Sequence, residues 1–412
     1  MTTDDIILRS PGPDELRAFF EPLVDAFSEE ITDEELEVER RLMEPERLVN
    51  AFDGDDRVGT AGAYTFRMTV PGGEVGASGI TAVGVRPDQR RRGVMRRMMS
   101  WLLDDAVQRG EPVAILTASE AAIYQRFGFG QATTQTTFSV DPARVRFREP
   151  VGLGEGRRIR MVSADEAAGI IPAVYEAIRP LTPGALTRTD DKWRLQLLSD
   201  AAWMRHGSGL KYRAVFEVDG EARGYAIYRV NGDWGPAGPS STLVAIEVVG
   251  VDAAAEQAMW EWLFAMDLMG TVRAWRGSVP HPLQQWLLEP RRLALTVGDG
   301  LWLRILDVPG ALGARTYAGS GTLVLQLADA MIESNAGRWQ LTVDDGQATV
   351  SRTTAEPDLE LDIATLAAAY LGAFRFGDLA RAGRVRECQS GSLETADVLF
   401  TPNRSPWCST AF

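Results

Sequence analysis

The sequence predicts an α/β chain with α+β character, divided into three consecutive domains, on three observations. Strand-like and helix-like periodicities alternate between residues 48 and 116. The same order of strands followed by a helix returns between residues 212 and 266. Beyond about residue 296 the strand-like runs come first and the helical runs last, the order of an α+β layer. A length of 412 residues exceeds one ordinary core and suggests two to four domains; Gly154-Glu155-Gly156 with Arg157, Arg158 and Arg160 marks a junction, and the divisions are placed at 1–148, 149–295 and 296–412.

In the first domain, residues 6–9 read as a strand. Leu16, Phe19, Phe20, Leu23, Val24 and Phe27 recur at helical spacing, which predicts an amphipathic helix over 13–27 interrupted only by Pro22. The strongly acidic stretch 28–39 predicts a second helix with a solvated face. Residues 48–52 and 57–70 read as paired strands around Asp53-Gly54-Asp55-Asp56, and Pro71-Gly72-Gly73 turns the chain into a strand ending at Val85. Pro87 and Asp88 break that strand. Arg90-Arg91-Arg92-Gly93-Val94-Met95 then opens a helix whose apolar residues are Met95, Met98, Met99, Leu102 and Ala106. A helix N-terminus carries amides without intrahelical partners, and Gly93 lets a ligand approach the main chain, so this turn is a candidate phosphate cradle. Arg109-Gly110 and Pro112 stop the helix, residues 113–116 form a short strand, and Thr117-Ala118-Ser119-Glu120 leads into a helical turn and Phe127-Gly128-Phe129-Gly130.

This order of strand, basic glycine turn, helix, strand and Y-x-R-F-G-F resembles the GNAT N-acetyltransferases. With the segment S-E-x-x-I-Y-x-R-F-G-F, a length just over 400 residues and an aromatic chain end, the sequence resembles the Eis (enhanced intracellular survival) family in particular. The resemblance implies tandem GNAT folds, each a mixed, splayed central sheet with flanking helices, followed by a sterol-carrier-protein-like α+β domain, assembled into a homohexamer. It implies acetyl-CoA as co-substrate, with Val83, Gly84 and Val85 contacting pantetheine and Arg91, Arg92, Gly93, Val94, Met95 and Arg96 forming the pyrophosphate loop. Met95 stands where the general pattern has glycine or alanine. Ser119 and Glu120 are expected to touch the co-substrate, Tyr124 to act as general acid, and the carboxylate of Phe412 to act as general base. Asp25 and Phe27 are expected to border the acceptor cavity. The family residue beside the chain end is often acidic, and here it is Ala411.

In the second domain, residues 212–218, 223–230 and 243–249 read as strands, with Asp219-Gly220 as a hairpin turn and a helix after Asp252. Gly250-Val251-Asp252-Ala253-Ala254-Ala255 contains no basic glycine turn, so this is read as a duplicate without the CoA signature. In the third domain strands are expected at 302–308, 321–327, 338–343 and 347–352, and helices at 363–374 and 376–382. The last eight residues are apolar for a tail and are expected to be docked.

Composition narrows the function further. No apolar run approaches the roughly 18 residues needed to cross a bilayer, and the acidic start lacks a secretory pattern, so a cytoplasmic protein is expected. Two cysteines, Cys388 and Cys408, and two histidines, His206 and His281, give no disulfide framework and no metal site, and both histidines read as surface or packing residues. A net charge of −14 disfavours nucleic acid and favours cationic acceptors such as aminoglycosides, polyamines or lysine side chains. The alternative reading is a non-catalytic acyl-CoA sensor or a lipid-carrier module.

Overall fold

The computed structural model describes residues 6–236 and 238–412. The chain falls into two compact units, one holding the chain up to Thr133 with Gly300–Arg404 and Thr410–Phe412, the other Thr134–Asp299 with Ser405–Ser409.

The first unit begins with β1 (Ile6–Arg9), α1 (Leu16–Phe27), α2 (Asp33–Leu42), β2 (Leu48–Asp53), β3 (Asp56–Val70) and β4 (Gly73–Val85). It continues with α3 (Val94–Gln108), β5 (Val113–Thr117), α4 (Ala121–Tyr124) and β6 (Gly130–Gln131). The second unit holds β7 (Thr134–Val140), β8 (Arg157–Met161), α5 (Ala164–Ile178), β9 (Lys211–Val218) and β10 (Glu221–Asn231). There follow the short β11 (Trp234–Gly235) and β12 (Gly238–Pro239), then β13 (Ser241–Gly250), α6 (Ala253–Phe264), β14 (Met269–Gly277), α7 (Leu283–Trp286) and β15 (Thr296–Asp299). The chain then returns to the first unit with β16 (Leu301–Ile305), α8 (Val308–Gly313), β17 (Gly321–Ala328), β18 (Gly337–Asp344) and β19 (Gln347–Arg352). It closes with β20 (Leu359–Asp362), α9 (Ile363–Tyr370), α10 (Phe376–Arg381), β21 (Val385–Glu387) and α11 (Ser392–Phe400).

The first sheet has the order β1-β2-β3-β4-β5-β16-β6. Its one parallel pair, β4 with β5, runs only from Ala77↔Val113 to Gly79↔Ile115, after which β4 continues alone to Val85. The sheet therefore forks beyond Gly79, leaving backbone groups of the later part of β4 without a β5 partner. A register shift against β3 between Thr60 and Gly62, with Ala82 at φ 51°, bends β4 in the forked part. Helix α3 covers one face of this sheet and buries Ala106 with Met98, Met99, Leu102 and Leu103, each of these four larger side chains contributing about 1.5–3 kcal/mol by burial. No side chain caps its N-terminus, so packing rather than capping holds the helix in place. On the other face α1 lies so close to β4 that a Cβ at Gly84 would sit 2.9 Å from the Leu23 Cα.

The second sheet, β15-β7-β14-β13-β10-β9-β8, also contains a parallel pair, β13 with β14, which ends at Ala245↔Ala274. The third, β19-β18-β17-β20-β21, packs with α8 to α11 around Tyr370, Phe376 and a buried Arg315 whose Nη2 donates to the Phe400 carbonyl at 3.1 Å. Two strands lie elsewhere than the sequence divisions at 148 and 295 place them. The strand β7 belongs to the second sheet, where Phe138 pairs with Ala274. The strand β16, read as the start of the third domain, closes the first sheet by pairing Leu301 with Thr117 and Leu303 with Gly130. Among the described residues no helix is long and apolar enough to cross a membrane.

Candidate active site

A cavity of about 1170 Å³ opens at the fork of the first sheet. Val83, Gly84 and Val85 of β4 form one wall, as expected for residues beyond the last β4–β5 rung. The turn before α3 forms the next wall through Arg91, Gly93, Val94, Met95 and Arg96. Arg91 and Gly93 have left-handed backbones, φ 65° and 80°, and the first helical bond joins the Arg97 amide to the Gly93 carbonyl at 3.2 Å. The amides of residues 94–96 thus precede the intrahelical ladder and, with the positive end of the helix dipole, suit an anion. Met95 lies in this wall while also packing, partly buried, against the core, so the residue that departs from the family pattern forms part of the cavity surface. Arg92 is placed differently: its Nη1 donates to Asp53 Oδ2 at 2.7 Å and to Gln89, tying the turn to β2, and it does not line the cavity.

Ser119 and Glu120 reach the cavity from the loop after β5, and Tyr124 from α4. Tyr124 is buried and meets Phe129 edge-on at 6.1 Å. Burial pushes its phenol above the ordinary value and the Glu120 carboxylate pushes the same way, while a hydrogen bond with Ser119 opposes them. The net direction keeps the hydroxyl protonated at neutral pH, the state needed to give up a proton.

Phe27, at the end of α1, lines the cavity mouth, whereas Asp25 points to Arg86 at a loose 3.9 Å and is not part of the wall. Phe412 packs edge-on against Phe66 of β3, with ring centroids 5.0 Å apart. A Cβ at Gly79 would lie 3.3 Å from its ring, so the chain end rests over the last rung before the fork. Tyr64, on the same face of β3 as Phe66, donates to Glu39 of α2 at 2.9 Å, which brings a carboxylate to that side. Gln89, Arg90, Ser100, Arg126 and, from the third sheet's loop, Ala330 and Met331 also line the cavity, and none of them was assigned to the site from sequence. Arg90 and Arg126 stand beside motif residues and were in reach of that reading. Met331 carried no signal.

The fork is braced from below. Arg47 is fully buried and donates bidentately to Glu111 at 2.8 and 2.6 Å, with further bonds to Ser78 at 2.9 Å and Thr65 at 2.6 Å. Ser78 is the residue before Gly79, so this network holds β3, β4 and the start of β5 together where they part.

The corresponding turn of the second unit differs in chemistry. Asp252 caps α6, accepting from the Ala255 amide at 2.8 Å and from Arg223 at 2.8 Å, and those bonds hold its carboxyl below the usual range. A carboxylate of the chain itself thus meets an amide of the first turn of α6, whereas no side chain caps α3. Ser405–Ser409 of the apolar tail belong to this unit, with the Trp407 amide donating to the Pro183 carbonyl at 2.8 Å and its Nε1 to that of Arg276 at 2.6 Å, whereas Thr410–Phe412 belong to the first. Ser409 receives a bond from Arg188, itself buried in an ion pair with Glu247.

Residues 8–132 and 184–305 each match an acetyltransferase (GNAT) domain family, and residues 308–409 a sterol carrier protein domain family. An uncharacterized N-acetyltransferase of Streptomyces avermitilis is 41% identical over the whole of both chains. N-acetyltransferase Eis of Mycobacterium tuberculosis is 35% identical over 96% of each. The crystal structure of Eis1 from Mycobacterium abscessus superposes with a TM-score of 0.84 at 29% identity, covering 98% of this chain and all of that one. The two forked sheets are therefore GNAT domains and the third a sterol-carrier-like domain. The protein is an N-acetyltransferase, and the chain belongs to the Eis family of GNAT acetyltransferases.

Proposed function

We propose that this protein moves the acetyl group of acetyl-CoA to a primary amine of a cationic acceptor, an aminoglycoside, a polyamine or a lysine side chain, by direct attack. The observation that carries the proposal is the cavity itself. It joins the open N-terminus of α3, the unpaired part of β4 and a buried, protonated phenol within one space. The residues present fit the co-substrate: residues 93–96 suit the diphosphate, Val83, Gly84 and Val85 suit the amide-bearing pantetheine arm, and Tyr124 suits the sulfur. Acetyl-CoA supplies an activated acyl group.

In the transfer, a bond forms between the amine nitrogen and the acetyl carbon while the carbon–sulfur bond breaks. Tyr124 gives its proton to the departing sulfur. The surplus ammonium proton passes to the Phe412 carboxylate, directly or through water. A chain-end carboxylate titrates at about 3.3–3.7 in water, so it accepts a proton here only with the help of a partly desolvated site. Glu39 beside Tyr64, the acidic α2 and the net charge of −14 favour a cationic acceptor over an acidic one. Asp252 at α6 supports a second domain that binds no CoA. The homohexamer rests on the family likeness and is tested by light scattering of the purified protein, while the cytoplasmic location rests on composition.

The experiment separates the two proton carriers. Tyr124→Phe is expected to lower turnover about 100-fold or more with CoA binding retained. Removal of Phe412, or extension of the chain beyond it, is expected to abolish turnover of amines. Full activity in both variants would refute the assignment.

A further inference from the structure

We propose that the sterol-carrier-like domain completes the co-substrate site, with the loop at Ala330 and Met331 forming the wall against the adenine of CoA. This inference rests on the reading of the cavity as an acyl-CoA site.

Three observations carry it. The first is elimination along the cavity. The β4 wall with Tyr124 takes the acyl end, and the Gly93 turn takes the diphosphate. Ala26 and Phe27 belong to the end of α1, Gln89 and Arg90 to the approach to the turn, and Ser119 and Glu120 to the loop beside Tyr124, so what remains of the lining is Ser100 on α3 one turn beyond Arg96, Ile123, Arg126, Phe127, Ala330 and Met331. The part of CoA left to place is a flat aromatic base on a phosphorylated ribose. Ile123, Phe127 and Met331 offer an apolar slot for the base, a thioether being a polarisable partner for an aromatic ring. Arg96 and Arg126 offer charge to the ribose phosphate.

The second is that the loop is held, not draped. Asp329 accepts from Arg304 Nη2 at 2.7 and 2.6 Å, and its Oδ1 also accepts from the amides of Met331 and Ile332 at 3.0 and 3.1 Å. Asn335 ties the far end of the loop, donating to Asp329 Oδ2 and to the Ile305 carbonyl, both at 3.2 Å. Met331 and Ile332 pack against the core that contains Val94, Tyr124 and Phe127.

The third is that Arg304, the anchor, lies in β16 of the GNAT sheet and is fully buried. Gly128 has φ 81°, and a Cβ there would sit 2.9 Å from the Arg304 Cζ. The guanidinium thus backs the turn that follows Tyr124 while gripping the loop that carries Met331. One buried side chain positions two walls of the cavity, and the domain that supplies Asp329 acquires a role in binding that needs no lipid.

Calorimetry with CoA, with adenosine 3′,5′-bisphosphate and with pantetheine separates the nucleotide wall from the rest. Met331→Ala in the full chain is expected to weaken CoA and the bisphosphate by roughly 2- to 10-fold, the range of a sulfur–aromatic contact, and to leave pantetheine unchanged. Met331→Leu is expected to keep most of the affinity. Asp329→Asn is expected to reproduce the Met331→Ala pattern through the loop. Equal weakening of all three ligands, or none for CoA, would overturn the inference. Absence of CoA binding by the unmodified protein would overturn the acyl-CoA reading as well.

Discussion

Replacing Gly79 by alanine tests whether the chain end works from its seat over the fork. Gly79 forms the last rung with Ile115, and a Cβ there would lie 2.4 and 2.5 Å from the Phe66 ring and 3.3 Å from that of Phe412. Real carbon contacts lie near 3.5 Å or beyond, so the Phe66 ring must move by about 1 Å. Phe66 is buried, with Tyr64 beside it and Ala77 opposite on β4, so its escape is toward Phe412. Overpacking of this kind costs about 1–3 kcal/mol, which leaves a folded protein. A displacement near 1 Å at a reacting group costs about 100-fold in rate. Thiol release with acetyl-CoA over a panel of polyamines and aminoglycosides measures the rate, and calorimetry measures CoA affinity. The expected result is a roughly 100-fold loss in kcat/KM for the amine with CoA affinity retained, and recovery in Gly79→Ala/Phe66→Leu, which makes room for the added methyl. Unimpaired turnover in Gly79→Ala, or a loss that Phe66→Leu leaves untouched, would refute the reasoning.

Two further outcomes follow from buried charge. Arg47→Met strands Glu111 without its bidentate partner and is expected to destabilise the protein by about 3–5 kcal/mol, with Arg47→Met/Glu111→Leu recovering much of that in chemical denaturation; equal losses in both variants would exclude a coupled pair. His281 is buried between Phe138 and Trp260, and burial alone pulls its imidazole down to about 4, whereas an unfolded histidine titrates near 6.5. Between those values the unfolded chain holds the extra proton. Stability is therefore full above about pH 6.5 and falls, by at most roughly 3 kcal/mol, as pH drops to about 4. His281→Leu is expected to flatten that part of the pH profile in thermal unfolding.

The parts of the fold legible in the sequence are those written in neighbouring residues. The Pro87-Asp88 break, the Arg-rich turn, Gly93 and the spacing of Met98, Met99, Leu102 and Ala106 are local, and α3 begins at Val94 with those side chains inward. The fork followed from the family likeness, because alternation along β4 carries no mark of where β5 stops pairing. Strand identity was equally opaque. The run that forms β16 is strongly apolar and that of β7 carries only Phe138 and Val140 at alternate positions, and which sheet receives each depends on pairings such as Leu301 with Thr117 and Phe138 with Ala274, made across long stretches of chain. Arg92 sits in the expected pyrophosphate loop, but its guanidinium is held by Asp53, a residue 39 positions away that the local motif does not show. The Arg47–Glu111 brace and the Met331 wall have no sequence signature, since an isolated arginine in a strand-rich region and a methionine in a loop match many ordinary positions. His281 conforms to its assignment as a packing residue, and its depressed imidazole shows the cost of that burial.

The most direct measurement is a crystal structure of the full chain with CoA. The account predicts one CoA per chain, its diphosphate on the amides of residues 93–96, its sulfur beside the Tyr124 hydroxyl and its adenine against Met331. Diphosphate density at the Asp252 end of α6, or a Gly93 turn left empty at saturating CoA, would contradict it.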